Sequence, residues 1–231
     1  MRTEIVYEDE RLLVVYKPAG LATESARVSQ ADVVSELKNY LSHGTKIPYL
    51  GLAHRLDQPV EGLLAVAKDQ KTAAELARQL QNGRMKKSYR AVVYLPEVMN
   101  YKLDEPVELN DFLMKEGGRA RIVTAVRGAQ KAVLTYRLQK VQGNAALARI
   151  DLETGRFHQI RCQMAAHGLP LLGDLKYGSK ESLALGRELK ADFVALCADT
   201  LTLLHPETGK ELRVTVEPRN EVFQVFSAKK E

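Results

Sequence analysis

The longest uninterrupted aliphatic or aromatic runs in this chain, such as Leu12 to Tyr16, are only five residues long. A membrane-spanning helix needs about 20 apolar residues, so the sequence predicts no bilayer helix. Runs this short read as buried strands, and Leu12 to Tyr16, Leu63 to Ala67 and Ala91 to Leu95 are three of them. Ala132, Leu134, Tyr136 and Leu138 alternate with more polar neighbours, as do Leu212, Val214 and Val216, the pattern of strands with one wet face. Helical spacing appears at Val33, Val34, Leu37, Tyr40 and Leu41, with Ser29 as the cap and Asp32 three residues on. A second helix carries Ala73, Leu76, Ala77 and Leu80 and stops at Asn82-Gly83. A third covers His158 to His167, and a last one runs from Glu221 to Ala228 with Val222, Phe223 and Phe226 on one face. Strands and helices mix without a regular βαβ alternation. The expected fold is therefore α+β, a mixed, mostly antiparallel central sheet flanked by helices and loops.

At 231 residues the chain is long enough to bury most of the surface that its unfolded form exposes. No Gly/Ser-rich linker, repeat or low-complexity block divides it, so residues 1–231 read as a single domain. The opening MRTEIVYEDE carries acids where a secretion signal needs a basic start and an apolar stretch. Cys162 and Cys197 are the two cysteines, with no CxxC spacing, so neither a disulfide framework nor a structural zinc is expected. A reducing cytoplasm fits. The formal charge of +5 is compatible with a nucleic-acid partner and does not by itself require one.

Three segments carry side chains suited to chemistry. The first runs Ala53-His54-Arg55-Leu56-Asp57-Gln58-Pro59-Val60-Glu61-Gly62. A short loop of this kind can set Asp57 in a cleft, with an arginine keeping it ionised as a nucleophile or base requires. Taken alone, the segment fits a surface Arg–Asp pair in a turn better. The second, Glu153 to Arg161, opens the third helix, where its amides with Arg156 and Arg161 suit a phosphate or carboxylate. A solvated arginine face fits the same spacing. His158 alone reads as a hydrogen-bonded structural histidine. The third, Lys86-Lys87-Ser88-Tyr89-Arg90, lies directly before the strand Ala91 to Leu95 and follows Arg84. A tyrosine there packs by default, but within a basic run it can stack on an unpaired base while the cations neutralise phosphate. No P-loop, GxGxxG, GxSxG or HExxH motif competes with these segments.

In order and spacing the segments resemble the RluA-type family of RNA pseudouridine synthases. Tyr7 to Glu10 with Val14-Val15-Tyr16-Lys17-Pro18-Ala19-Gly20 is similar to that family's opening strand and KPxG turn. His54-Arg55-Leu56-Asp57 with Gly62-Leu63-Leu64 resembles its nucleophile motif, and Lys87, Tyr89 and Ala91 its tyrosine motif. Gly155-Arg156, His158-Gln159-Ile160-Arg161, Gly168, Pro170, Gly173-Asp174 and Tyr177-Gly178 resemble its arginine motif. Leu196, Ala198, His205-Pro206 and Gly209 are similar to its closing segment. Each tetrapeptide is weak alone, and five in the right order are a strong signal. The chain departs from the pattern at Val60-Glu61, where members commonly have Thr-Ser, at Cys162-Gln163 in place of Val-His, and at Cys197 in place of His.

The resemblance implies an isomerase that flips a uridine out of ribosomal or transfer RNA and rejoins it through C5. Asp57 would be the nucleophile or base, Arg161 would pair with it, and Tyr89 would stack on the base and help remove the C5 proton. Ile160 and Leu196 would pack around the base and exclude water. Arg55 would fill the gap left by the extruded nucleotide, His54 would steady the loop, and Lys86, Lys87 and Arg156 would bind RNA. No metal or cofactor is implied. A monomer is the default expectation, and with no length for an S4-like RNA-binding domain, the catalytic domain alone would grip the RNA. The rival reading is a non-catalytic RNA-binding module of the same fold, which would not need Asp57 and Arg161 to act together.

Overall fold

A computed structural model of the chain describes residues 1–25, 30–42 and 47–227. In chain order the first elements are β1 (Glu4–Glu8), β2 (Leu12–Lys17), α1 (Val33–Leu41), β3 (Gly51–Leu52), β4 (Glu61–Ala67), α2 (Gln70–Gln81) and β5 (Lys86–Tyr94). Then follow β6 (Val107–Glu116), β7 (Arg119–Val123), β8 (Gln130–Gln142), β9 (Ala145–Leu152) and α3 (Gln159–Ala166). The last are α4 (Lys180–Glu188), β10 (Leu196–Leu204), β11 (Glu211–Thr215) and a 3-10 turn at Glu221–Phe226. The chain divides into two compact units, Met1–Lys87 with Cys197–Pro218, and Ser88–Leu196 with Arg219–Glu231. The first two crossings fall inside β5 and at the start of β10, so they lie within strands and leave no mark in composition.

In the first unit the strands lie in the order β1-β2-β4-β10, with β3 beside β4 and β11 beside β10. The pairs are antiparallel except β4 with β10, which is parallel. β2 and β4 are buried along their whole length, as short apolar runs predict. Leu12, Val14, Leu63, Leu76, Leu201 and Leu203 share one core cluster. Helix α2 begins at Asp69, whose carboxylate accepts the Thr72 amide at 2.9 Å. Its buried Gln79 side chain completes the β10 backbone, donating to the Leu204 carbonyl and accepting the Leu204 amide, both at 2.8 Å. Gly62 has φ +124, and a Cβ there would drive into the Ala198 backbone, so the β4–β10 approach requires glycine at this position.

In the second unit the order is β5-β9-β8-β6-β7, and the β9–β8, β8–β6 and β6–β7 pairs are antiparallel. Helix α3 packs on this sheet through Cys162, which joins Leu113, Ala120 and Ala132 in a buried cluster. The strands of each unit fit the α+β expectation, and strands outnumber helices in each.

Four local expectations need correction. The cap of α1 is Asp32, which accepts the Ser35 amide at 2.7 Å. Ser29 lies outside the described residues. Strand β5 begins at Lys86, five residues before the apolar run, so the basic segment is itself strand. β4 begins at Glu61, two residues before the apolar run, where Glu61 pairs with Cys197 of β10 and is buried. The C-terminal segment is a 3-10 turn over Glu221–Phe226, with Val222, Phe223 and Phe226 buried, and Ala228 lies outside the described residues.

Candidate active site

Asp57 sits half-buried in a loop that folds back into β4. The loop is pinned on both sides of that carboxylate. The Leu56 carbonyl accepts the Thr23 hydroxyl at 2.8 Å, and the Gln58 carbonyl accepts the Gly20 amide at 2.9 Å. The Val60 amide closes a turn on the Asp57 carbonyl at 3.0 Å. Arg55 projects outward and is exposed, whereas His54 is buried. The Ala65 amide donates to His54 Nε2 at 3.4 Å, and burial with the nearby Lys87 charge lowers the His54 pKa to about 3. His54 is therefore a neutral ring that ties the loop to β4. Its Nδ1 has no hydrogen-bond partner among the described residues.

Beneath the loop lies Lys17, the last residue of β2, with no exposed surface. Its ammonium has three donors, and three carbonyls meet them: Leu21 at 2.7 Å, Pro18 at 3.1 Å and Gln58 at 3.1 Å. One side chain thus binds the KPxG turn to the residue following Asp57. Burial lowers the Lys17 pKa to about 7, although the charges of Asp57 and Glu61 oppose that shift. Glu61, buried in β4, accepts the Tyr16 hydroxyl at 2.5 Å.

This burial has a pH signature. An unfolded lysine holds its proton to about 10.5, against about 7 here, so between these values the unfolded chain binds the extra proton. Stability must then rise as pH increases through that window and fall toward its lower end. Lys17→Met is expected to remove this rise, read as the urea midpoint at pH 7 against pH 10. Parallel pH profiles for the variant and the parent protein would contradict the assignment.

In the second unit, Tyr89 is buried on β5. Ser88 before it donates its hydroxyl to Asp151 at 2.5 Å, and neighbours along a strand point to opposite faces. Lys87 is half-buried and burial lowers its pKa, while Lys86 and Arg84 are exposed, so the basic run is not one solvated face. Leu196 opens β10 and is buried.

Helix α3 starts on His158, whose φ of 52 and ψ of 26 are left-handed. That conformation costs a residue with a Cβ roughly 1–2 kcal/mol. Local bonds hold it in place. Gln159 accepts both the Arg156 amide at 2.9 Å and the Thr154 hydroxyl at 2.8 Å, and donates to the Val133 carbonyl at 3.1 Å. Ile160 and Arg161 follow, both buried, so Arg161 does not lie on a solvated face. Arg161 grips Asp174 in a two-pronged pair, Nε to Oδ2 and Nη2 to Oδ1, both at 2.7 Å. The same carboxylate accepts the Lys176 amide at 2.9 Å and the Tyr177 amide at 3.2 Å. Arg156 is exposed, and its Nε donates to the Lys131 carbonyl at 2.9 Å.

Lys17, Glu61, Asp174 and Tyr177 received no role in the sequence analysis. The signal for Lys17 and Glu61 was a charge at the edge of an apolar run. For Asp174 it was its place directly after Gly173 in the segment that resembles the arginine motif. Among the described residues, no group of three His, Cys, Asp or Glu side chains is placed to hold a metal ion, and no helix is long and apolar enough to cross a membrane.

A family model described as RNA pseudouridylate synthase matches residues 11–166. Ribosomal large subunit pseudouridine synthase D of Zymomonas mobilis subsp. mobilis is 34% identical over 230 residues, which cover 96% of this chain and 71% of that protein. The protein of the same name from Pseudomonas aeruginosa is 34% identical over 219 residues, covering 91% of this chain and 66% of its own. A further relative of that name, from Nitrosomonas europaea, has 60% of its length covered. Among solved structures, Human RNA Pseudouridylate Synthase Domain Containing 4 superposes with a TM-score of 0.75 at 24% identity, covering 96% of this chain and 92% of that one. This last likeness is one of fold.

Proposed function

The chain belongs to the RNA pseudouridylate synthase family, whose members are isomerases, and we propose that it converts a uridine of large-subunit ribosomal RNA to pseudouridine, with Asp57 as the reacting carboxylate. The reaction breaks the bond from ribose C1′ to N1 and forms one to C5. The C5 proton leaves, N1 regains a proton, and nothing is oxidised or reduced. Asp57 acts as nucleophile or base. The roles that the resemblance implies for Tyr89, Arg161, Ile160 and Leu196 belong to the same proposal, as do RNA binding by Arg55, Arg156, Lys86 and Lys87 and the loop-steadying role of His54. We place the enzyme in the cytoplasm, acting as a monomer.

The observation that carries this reading is the construction of the Asp57 loop. Flanking carbonyls at Leu56 and Gln58 are tied to Thr23, Gly20 and buried Lys17, while the carboxylate itself is left half-exposed. A surface ion pair in a turn needs no such support. A side chain that must meet a flipped nucleotide within tenths of an ångström does.

The test is tritium release from transcripts labelled at uridine C5. Unmodified large-subunit, small-subunit and transfer RNA would be offered separately. Release from the large-subunit transcript alone is the expected result. Release from transfer RNA instead would move the substrate, and RNA binding without release from any pool would favour the non-catalytic module.

A further inference from the structure

Phe157 is 39% exposed, yet one face of its ring is already occupied. Its ring stacks on His158, with centroids 3.8 Å apart and planes 20° from parallel. His158 Nδ1 lies 2.9 Å from the Tyr177 hydroxyl, and the two rings meet edge to face at 5.6 Å. Tyr177 in turn accepts the Ala120 amide at 2.6 Å and lies under the Arg161 guanidinium at 5.3 Å. A continuous column of rings thus runs from buried Arg161 to the surface and ends at Phe157. Above that last ring, the Lys115 ammonium stands 4.7 Å from the centroid.

A lone exposed apolar side chain is ordinary. This one differs in two ways. Its conformational freedom is already spent on a stack with a buried histidine, so a flat ligand would meet a platform that is ordered in advance. It also stands beneath a cation, the Lys115 ammonium. Lys115, Arg119, Arg156 and Lys176 are exposed, and Lys176 reaches the Gly118 carbonyl at 2.9 Å, which fixes it at the tip of the β6–β7 hairpin. Of the exposed acids close in sequence, Glu116 is paired with Arg121 at 2.7 Å and Glu153 lies three residues before Arg156.

We propose that Phe157 is a stacking platform for an unpaired nucleobase of the RNA, a second base site apart from the one that takes the reacting uridine. The inference rests on RNA being the substrate, as argued above. The incoming base lies on the Phe157 face now covered by Lys115, and the displaced ammonium turns to a phosphate of the same nucleotide. Stacking on an aromatic with a cation at hand is sequence-tolerant. Phe157 therefore sets how firmly single-stranded RNA is held, and the bond-making steps do not depend on it.

Two readouts test this. Affinity for a single-stranded oligouridylate, followed by fluorescence anisotropy, should fall about tenfold in Phe157→Ala, the loss expected for one stacked base. Phe157→Trp should retain it. In tritium release from large-subunit ribosomal RNA, Phe157→Ala should raise KM by a similar factor and leave kcat within about twofold. A role confined to folding would lower the thermal midpoint and kcat together, and Phe157→Trp would not rescue it. Equal oligouridylate affinity for the parent protein and Phe157→Ala, or no binding by either, overturns the platform. If the parent protein releases no tritium, the activity reading fails, and the oligouridylate measurement still judges the platform separately.

Discussion

Asp57→Asn is expected to lower tritium release at least about 10³-fold, the scale on which a positioned acid or base contributes. The variant should fold as the parent protein does. Asparagine has almost the same shape, and the backbone carbonyls on either side of it hold the loop to Thr23, Gly20 and Lys17. RNA affinity should therefore stay close to that of the parent protein. Loss of turnover without loss of binding or thermal midpoint would isolate the charge as the cause. A turnover within tenfold of the parent protein would remove Asp57 from the chemistry. The substitution has a second consequence. Asp57 is one of two carboxylates whose charge opposes the depression of the Lys17 pKa. Without it, Lys17 should give up its proton at a still lower pH.

The largest expected loss of stability is at Asp174. That carboxylate has no exposed surface and faces an arginine that is 4% exposed. Two buried charges in such a pair gain little over a well-packed apolar replacement. Removing Asp174 takes from buried Arg161 a two-pronged carboxylate that offsets its desolvation. Asp174→Ala is expected to cost about 3–5 kcal/mol, measured from urea unfolding with an unchanged m value. Two backbone amides, of Lys176 and Tyr177, lose their acceptor in the same step. Asp174→Asn keeps an acceptor oxygen and should fall between Asp174→Ala and the parent protein. A loss below about 1 kcal/mol for Asp174→Ala would mean that Arg161 draws its compensation from elsewhere.

The apolar runs at 12–16 and 63–67 and the capped repeat of α2 are legible because each is a local pattern whose period matches one element. The basic segment before Ala91 is not legible as strand, since Lys86 to Arg90 shows no apolar alternation and extends β5 only because the ladder continues through it. The burial of Lys17 and Glu61 is not legible for a similar reason. A charge at the end of an apolar run reads as the point where the chain meets water. Here the β2–β4 register, with Lys17 opposite Gly62, carries both into the interior, and no local pattern encodes a register. The Arg161–Asp174 pair spans 13 residues, outside any helical or strand repeat. Order along the chain suggests its members, and tertiary packing makes the pair.

The division of the first unit between two stretches of sequence has a consequence during synthesis. Leu201 and Leu203 belong to the same core cluster as Leu12, Leu63 and Leu76. A ribosome moving at roughly 5–20 residues per second needs about 6–25 seconds for the roughly 125 residues from Leu76 to Leu201. Throughout that interval the nascent chain carries β2 and β4, its most apolar strands, with part of the β4 edge lacking the β10 partner that it will have in the finished fold. The second unit has nearly its whole sequence available first. Slow elongation through Ser88–Leu196 would therefore prolong exposure of the half-built sheet, which makes the newborn protein a natural client for chaperones that shield strand edges.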